Sequence, residues 1–381
     1  MQLELIKKLF AKHKEQYLSH RYITNKNIEP LLKKLADIFH VETIGKSVLN
    51  NPIYGLKIGN GKKRVLLWSQ MHGNESTTTK ALFDLFNTIL DKESKLDYIL
   101  ESCTLYVIPI LNPDGALAYT RVNANKVDLN RDAQHLTQPE SLVLREVFET
   151  FKPHFCYNLH GQRTIFSAGK TNKLATVSFL APAQDAACTV TPNRRVAMEI
   201  IAEMNYVLQK IIPNQIGVYD DAFNLNCVGD TFQSANVPTI LFEAGHYADD
   251  YAREKTRELI FISYLVSLDY IAKKDVTGAN YEAYFEIPEN DKLFLDVIIR
   301  NAIVDNEVVD VGIQFQERLV NEKIEFIPKV EKIEKLDGFF GHKEIDAKGF
   351  RVLNDQGKKL EIGYANVFVI LNNEKILLLS K

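Results

Sequence analysis

The feature that most constrains the fold is a short apolar stretch followed closely by two metal-competent side chains. Residues 64–69 read Arg-Val-Leu-Leu-Trp-Ser, and Gly73 interrupts the run shortly afterwards. A mostly apolar run of this length that leads into helical periodicity is typical of a central parallel strand followed by a helix. His72 and Glu75 therefore belong at the carboxyl end of that strand, which is the edge where open α/β sheets bind their ligands.

The change of pattern along the 381-residue chain predicts two domains. Up to about residue 280, apolar runs of strand length alternate with segments of helical periodicity, as in α/β domains. From about residue 286, short β-rich runs are separated by Asp, Asn and Gly turns without a long helical segment. We therefore expect an α/β domain over residues 1–280 and a small β-rich domain over residues 286–381.

Periodicity also predicts individual elements of the first domain. An antiparallel hairpin at a sheet edge is expected from residues 41–45 and 52–58, because short apolar and polar segments flank a turn there. Predicted helices cover residues 76–90, 139–151, 191–212 and 251–272, and helical spacing is also present in residues 1–40. Cys103–Leu111 is a predicted strand, and Asn112–Gly115 is a predicted tight turn because its residue types favour a chain reversal.

Charge, hydropathy and cysteine content argue against several classes of partner. A formal net charge of −3 provides no electrostatic basis for binding nucleic acid or an anionic membrane. No segment offers the roughly 20 apolar residues of a membrane helix, and the first residues carry charges in place of an apolar signal core. The four cysteines lie far apart, as is typical of reduced thiols. We expect a cytoplasmic protein.

Two further predicted strands end in chemically competent groups. Residues 154–161 form a strand that ends in His160, and residues 238–245 form one that ends in Glu243. Because parallel strands place their carboxyl ends along one edge of a sheet, side chains that are distant in sequence converge there. Glu243 follows three apolar residues, and such desolvation raises a carboxyl pKa toward the range that suits proton transfer.

The simplest division of these groups is one zinc site and one base. His72, Glu75 and His160 provide two imidazoles and one carboxylate, which is a known catalytic zinc ligand set, and Glu243 remains as the general base. His154 is the alternative third ligand, since it shares a strand face with His160. His154, however, lies where the strand begins, at the opposite edge of the sheet, so His160 is the favoured ligand.

Several short motifs together resemble one enzyme family. They are His72-x-x-Glu75, Asn112-Pro113-Asp114-Gly115, Arg121-x-Asn123, Val127-Asp128-Leu129-Asn130-Arg131-Asp132, Asn158-Leu159-His160-Gly161 and Phe242-Glu243. The combination is similar to the zinc carboxypeptidase family over roughly residues 20–275. The resemblance implies a doubly wound α/β domain with a mixed, mostly parallel central sheet, helices on both faces and one zinc ion per chain.

The resemblance also assigns roles to residues outside the strand ends. Arg121 matches the arginine that polarises the scissile carbonyl, and Asn130 with Arg131 matches the pair that binds the terminal carboxylate of the substrate. Tyr219 is the best match to the family's mobile tyrosine. The implied activity is removal of a C-terminal residue from a peptide with a free C-terminal carboxylate, by metal-activated water with Glu243 as general base and acid.

Two other functions are weighed against this one. The first is a zinc-dependent amidase or deacylase that acts on cell-wall peptides or N-acyl amino acids, and the second is an inactive peptide-binding module. Asp132 stands where many digestive members of the family have Asn, and no motif defines a specificity pocket. His246 and Tyr247 either line the substrate pocket or pack against the next helix. The oligomeric state and the role of the β-rich domain stay open.

Overall fold

The computed structural model describes residues 2–379, so Met1, Ser380 and Lys381 of the two predicted domains lie outside the described residues. The described chain forms two compact units. The first contains the residues up to 162 together with 175–290, and the second contains 163–174 together with the residues from 291 onward. The predicted domain limits stay a prediction. They include residues 163–174 in the first domain, whereas the structure groups these residues with the second unit. Between residues 2 and 379, no helix has the length and apolar character needed to cross a bilayer.

The elements are as follows, in chain order. The strands are β1 His40–Lys46, β2 Pro52–Ile58, β3 Lys63–Ser69, β4 Cys103–Ile108, β5 Phe155–Gly161, β6 Ser167–Ala168, β7 Val177–Leu180, β8 Ile216–Val218, β9 Thr239–Ala244, β10 Asn290–Asp291, β11 Phe294–Val304, β12 Glu307–Val320, β13 Lys323–Glu334, β14 Phe340–Asp346, β15 Val352–Leu353, β16 Phe368–Leu371 and β17 Glu374–Leu377. The helices are α1 Leu3–His13, α2 Asn25–Leu35, α3 Thr77–Leu90, α4 Asp97–Ser102, α5 Pro113–Ala118, α6 Pro139–Phe151, α7 Pro192–Leu208, α8 Val228–Ser234 and α9 Glu254–Lys273. Short 3-10 helices cover Lys92–Ser94, Leu129–Arg131 and Glu282–Glu286.

The first unit is built on one eight-stranded sheet in the order β1-β2-β4-β3-β5-β9-β7-β8. β3 runs parallel to β4 and β5, and β5 runs parallel to β9. β1 and β2 form an antiparallel edge hairpin, and β7 pairs with β9 in the antiparallel direction. The expected mixed, mostly parallel sheet is confirmed, with β3 and β5 at its centre.

Helices cover both faces of this sheet, as expected. Val65 and Leu67 of β3 belong to a large core that also contains residues of α3, α7 and α9. Leu66 and Trp68 belong to a second core with residues of α6 and α8. This alternation follows from the two-residue period of a strand, which directs successive side chains to opposite faces.

The predicted tight turn at Asn112–Gly115 is wrong. Asn112 is instead the N-cap of α5, where its side chain accepts a hydrogen bond from the backbone N–H of Gly115. Pro113 occupies the first turn, where its missing N–H costs nothing. The same residue types favour turns and helix starts, because an Asn side chain can satisfy a free backbone N–H in either structure.

The second unit is rich in β-structure. β13-β12-β11-β14 form a four-stranded sheet, and β15-β16-β17 form a three-stranded one. The two sheets share an apolar core of alternate residues such as Val297, Val311 and Val369. The expected C-terminal β-rich region is therefore confirmed.

Candidate metal and catalytic site

The turn after β3 is shaped to present His72 and Glu75. Gln70 has a φ of +44°, which ends the extended backbone. Asn112 donates from Nδ2 to the carbonyl oxygen of Met71 at 3.1 Å and fixes the start of the turn. A Cβ on Gly73 would lie 1.9 Å from the carbonyl carbon of Gly115, so only glycine allows α5 to pack this closely. The short helix that replaces the predicted turn therefore supports the site.

His72, Glu75 and His160 converge as the sequence predicts. Oε1 of Glu75 lies 2.9 Å from Nδ1 of His72, and Oε2 lies 2.9 Å from Nδ1 of His160. The two Nδ1 atoms are 3.0 Å apart, and both histidines are 2% exposed. One donor atom from each of the three residues lies within 4.8 Å of the others. The group therefore has the composition and spacing of a three-ligand metal site.

A hydrogen bond at Nε2 of His72 supports Nδ1 of the same ring as the metal-binding atom. Nε2 of His72 lies 3.0 Å from Oδ1 of Asp128, a carboxylate that accepts a hydrogen bond. An N–H at Nε2 leaves the lone pair of Nδ1 directed toward Glu75 and His160, as metal-binding histidines require. The sequence interpretation gave Asp128 no role. Its place two residues before Asn130 in the Val-Asp-Leu-Asn-Arg motif was the signal that could have identified it.

The electrostatics of the group favour a bound cation. Burial raises the pKa of Glu75, but the charge of His72 and hydrogen bonds from both imidazoles outweigh it and hold this pKa well below its usual range. Burial lowers the pKa of His72, yet Glu75 and Asp128 raise it overall. Burial dominates at His160, and its pKa is lowered. The site thus pairs a buried carboxylate anion with an imidazole that favours the neutral, metal-binding form.

His154 is not part of this group. Its Nδ1 accepts a hydrogen bond from the backbone N–H of Arg64 at 3.1 Å, at the point where β3 and β5 begin. His154 directly precedes β5 and His160 lies near its carboxyl end, so the two histidines are at opposite edges of the sheet, as expected from their six-residue separation.

Glu243 lies on the strand next to His160. His160 and Glu243 are direct partners in the β5–β9 ladder. Oε2 of Glu243 is buried and has no hydrogen-bond partner among the described residues. Burial and the nearby Glu75 carboxylate raise the pKa of Glu243 well above its usual range, although Arg121 and Arg253 oppose the effect. These properties fit a proton-accepting group, as predicted from the apolar residues that precede it.

Tyr219 is brought to the same edge of the sheet. It follows β8, and its N–H donates to the carbonyl oxygen of Phe179 at 3.1 Å. Burial and the Glu243 and Glu75 carboxylates raise the pKa of Tyr219 well above its usual range. The tyrosine predicted from the resemblance therefore lies near both carboxylates, and its hydroxyl stays protonated at neutral pH.

Arg121, Asn130 and Arg131 lie on the loop that also carries Asp128. Nε of Arg121 donates to Oδ2 of Asp128 at 3.1 Å, and Nη1 lies 3.5 Å from Oε1 of Glu75. Asn130 accepts at Oδ1 from the N–H of Val228 at 3.1 Å, which leaves its amide N–H groups to donate elsewhere. The Arg131 side chain is exposed. Its guanidinium can therefore meet an anionic ligand, and the assigned roles stay predictions.

Three residues near the site also make packing or turn contacts. Asp132 is 3% exposed and accepts hydrogen bonds from the backbone N–H groups of Thr137 and Gln138. Asp132 therefore stabilises the turn before α6. His246 is buried with its ring 4.7 Å from that of Tyr251, and Tyr247 packs at the rim of the larger core.

Part of the chain is similar to known proteins. Residues 24–165 match the family model described as zinc carboxypeptidase. Carboxypeptidase SOL1 of Arabidopsis thaliana is 28% identical over 183 residues, which covers 41% of this chain and 37% of that protein. Carboxypeptidase M of Mus musculus is 28% identical over 180 residues, which covers 39% of this chain and 41% of that protein.

The solved structures agree on the fold. A metallo-carboxypeptidase from Burkholderia cenocepacia superimposes with a TM-score of 0.50 at 16% identity, over 65% of this chain and 69% of that one. The chain spans less than half the length of the two named sequence relatives. The family is zinc-dependent, and the His72, Glu75 and His160 group has the donor set that zinc requires. Residues 24–165 therefore resemble the zinc carboxypeptidase family in sequence, and the fold agrees with that resemblance.

Proposed function

We propose that this chain is a zinc-dependent carboxypeptidase that removes a C-terminal residue from a peptide. One observation carries the proposal: His72, Glu75 and His160 meet at the sheet edge where Glu243 pairs with His160 in register. A three-ligand group beside a desolvated carboxylate suits metal-assisted hydrolysis of an amide. The similarity of residues 24–165 to zinc carboxypeptidases supports the same reaction.

Each group has a chemical task in this proposal. When bound by His72, Glu75 and His160, zinc supplies Lewis-acid chemistry that activates water and polarises a carbonyl. Glu243 takes a proton at Oε2 from the attacking water and returns it to the departing amine. Arg121, 48% exposed beside Glu75, donates hydrogen bonds to the carbonyl oxygen as negative charge develops on it.

Substrate selection in this proposal depends on the free carboxylate of the peptide. Arg131 offers a planar guanidinium that pairs with a carboxylate through two hydrogen bonds, and the Asn130 amide adds a further donor. A deacylase does not need such a pair in this role. The pair therefore favours the carboxypeptidase over the amidase, and it makes a peptide with a free C-terminus the expected partner.

Replacement of the base tests the reaction. Glu243→Gln keeps the size of the side chain and removes its basicity, so kcat on a cleaved peptide should fall by about 100-fold or more. Zinc content, measured by atomic emission on protein purified without chelator, should stay near one ion per chain because Glu243 is not a ligand in this proposal. Wild-type kcat in Glu243→Gln would contradict the assignment of the base.

A second test concerns the terminal carboxylate. Peptides that differ only in a free or amidated C-terminus should differ in kcat/KM by about tenfold or more, since the amide cannot form a charge-assisted pair with Arg131. A mass-spectrometric peptide library would identify the preferred terminal residue at the same time. Equal rates on free and amidated peptides would favour the amidase.

We also propose a cytoplasmic location with no nucleic-acid or membrane partner. All four cysteines are free thiols, which supports a reducing compartment. The formal net charge of −3 supports the absence of polyanionic partners. Fractionation of cells that express the chain would test the location, and recovery in a membrane or secreted fraction would contradict it.

A further inference from the structure

A loop between β8 and α8 begins near the Glu243 and Glu75 carboxylates and ends beside Asn130. This substrate-wall loop, residues 219–227, begins at Tyr219 and has no helix or strand of its own. We propose that Arg194 is a positioning residue that fixes the substrate-wall loop through an ion pair with Asp221. The inference depends on the proposed function, because the loop acts only if the site binds a peptide.

The arginine end of the pair is rigid. Arg194 lies in the first turn of α7 and is 1% exposed. Its Nε donates to the carbonyl oxygen of Ala181 at 3.0 Å, and Nη1 donates to that of Cys188 at 2.8 Å. The remaining Nη2 group forms the ion pair with Asp221. Two backbone contacts therefore hold the guanidinium in place before the aspartate is considered.

The loop end of the pair is doubly attached. The Asp221 carboxylate, 42% exposed, binds Arg194, while the backbone carbonyl of Asp221 accepts from the Cys188 thiol at 3.3 Å. Both contacts fall on one residue in the middle of irregular backbone. Such backbone gains order mainly from specific contacts, because it lacks the repeating hydrogen bonds of a helix or strand.

Both ends of the substrate-wall loop lie near predicted site residues. Tyr219 at the start lies near Glu243 and Glu75, which contribute to its raised pKa. At the other end, Val228 directly after the loop donates its N–H to Oδ1 of Asn130. Asp221 lies two residues after Tyr219, so a shift of the attached residue moves the tyrosine relative to the bound peptide. Arg194 thereby acts on substrate binding through the loop and not through direct contact.

The experiment compares two neighbouring aspartates. Asp221→Ala removes the ion pair, whereas Asp220→Ala removes a carboxylate that only accepts from the backbone N–H of Ala222 within the loop. Asp221→Asn keeps an acceptor for Arg194 and serves as the conservative variant. Because both aspartates lie on irregular backbone and the Asp221 side chain is partly exposed, all three variants are expected to fold.

Two measurements give distinct answers. For Asp221→Ala we expect KM for a cleaved peptide to rise by about threefold to tenfold with kcat within about twofold. The reason is that the variant loses binding energy that the ground state and the transition state share equally. Asp221→Asn should restore part of the change, and Asp220→Ala should leave KM near the wild-type value. Without any substrate, hydrogen exchange of backbone amides in residues 219–227 should be faster in Asp221→Ala than in Asp220→Ala.

The outcomes separate this inference from the proposed function. If the wild type cleaves no peptide, the proposed function fails, and hydrogen exchange still decides whether Arg194 orders the loop. If the wild type is active but Asp221→Ala matches Asp220→Ala in KM and in exchange, the positioning role is wrong. Unchanged zinc content in all variants would confirm that the effect does not arise from the metal ligands.

Discussion

Both ring nitrogens of His72 have partners, and the hydrogen bond between Nε2 and Asp128 determines that Nδ1 is the nitrogen free to bind a metal. Asp128 accepts from Nε2 at 3.0 Å, so Nδ1 is left to bind the metal. Removal of this carboxylate by Asp128→Ala should weaken zinc binding by about tenfold to 100-fold, because the tautomer and ring orientation are no longer fixed. Competition with a chelator of known affinity would measure the change.

The control for this prediction is a carboxylate at a different place. Asp220→Ala also removes one negative charge but touches none of the three ligands, so zinc affinity should stay near the wild-type value. An unchanged affinity in Asp128→Ala would show that the hydrogen bond to His72 does not orient the ligand. The place of Asp128 in the Val-Asp-Leu-Asn-Arg motif marks it as a candidate, but the partner of its carboxylate, His72, lies 56 residues away and is decided by the tertiary structure.

Burial of Asp230 on α8 makes the stability of the folded chain depend on pH. Burial raises the pKa of this carboxyl to about 6, and the hydrogen bond from the N–H of Asn224 offsets the effect only in part. A folded-state pKa above the unfolded value means that the folded chain holds more protons between about pH 4 and 6. The contribution of Asp230 to stability is therefore complete below about pH 4 and is lost as the pH rises through about 6.

Asp230→Asn should remove this loss. We expect the variant and the wild type to unfold at similar temperatures at pH 4, and the variant to be more stable at pH 7 by up to about 3 kcal/mol. Scanning calorimetry at intervals between these two pH values would show the difference growing with pH. A difference that is constant across the range would mean that the carboxyl does not titrate in this window.

At the scale of secondary-structure elements, α3 and α9 are joined by a buried ion pair. Nε and Nη2 of Arg257 lie 2.6 Å and 2.5 Å from the two carboxylate oxygens of Asp84. The guanidinium also donates to the carbonyl oxygens of Glu15 and Leu18. Both charged side chains are inaccessible to solvent, so Asp84 depends on Arg257 for compensation, and Arg257 depends on Asp84 and on Glu254, which lies 3.2 Å from its Nη1.

Loss of one partner should be far more costly than loss of both. Asp84→Ala removes the two-oxygen partner of the buried Arg257 and leaves it only the Glu254 carboxylate, 3.2 Å from Nη1, which should destabilise the first unit by about 3–5 kcal/mol. The double variant Asp84→Ala with Arg257→Met removes the buried charge and should recover a large part of this loss. Denaturant unfolding measures both, and a cost below about 1 kcal/mol in Asp84→Ala would contradict a dry ion pair.

At the scale of the whole molecule, a metal that binds only the folded chain should stabilise it. Zinc at 100 times its dissociation constant contributes about 2.7 kcal/mol, so the thermal unfolding of the first unit should shift to higher temperature. A chelator should reverse the shift together with peptide hydrolysis. Calorimetry with and without zinc would measure the stabilisation independently of any substrate.

His160 of β5 and His154, which directly precedes that strand, provide the matched control. His160→Ala should abolish the zinc-dependent shift, because it removes one of the three ligands. His154→Ala changes the same residue type at the opposite edge of the sheet, so the shift should persist. Equal zinc responses in the two variants would place the metal elsewhere.

The order of the strands shows which parts of the fold local sequence can predict. The central strands and the edge hairpin were recognisable because burial on one or both faces leaves a pattern of period two or a continuous apolar run. β7 and β8 are short, and their sequences do not separate them from loops. The assignment of residues 163–174 to the second unit depends on contacts distant in sequence, such as Thr164 with Gln314, and has no local signature.

Local sequence patterns are enough to locate the chemical groups of the site, which are two histidines and two glutamates at predicted strand ends and the basic loop identified by resemblance. Strand periodicity and the parallel arrangement bring such ends to one edge, so His72, Glu75, His160 and Glu243 can be grouped from the sequence. The contacts of Asp128 with His72 and of Arg194 with Asp221 emerge only from the folded chain. Those pairs are made by distant segments whose approach depends on the packing of the whole unit, which no local pattern records.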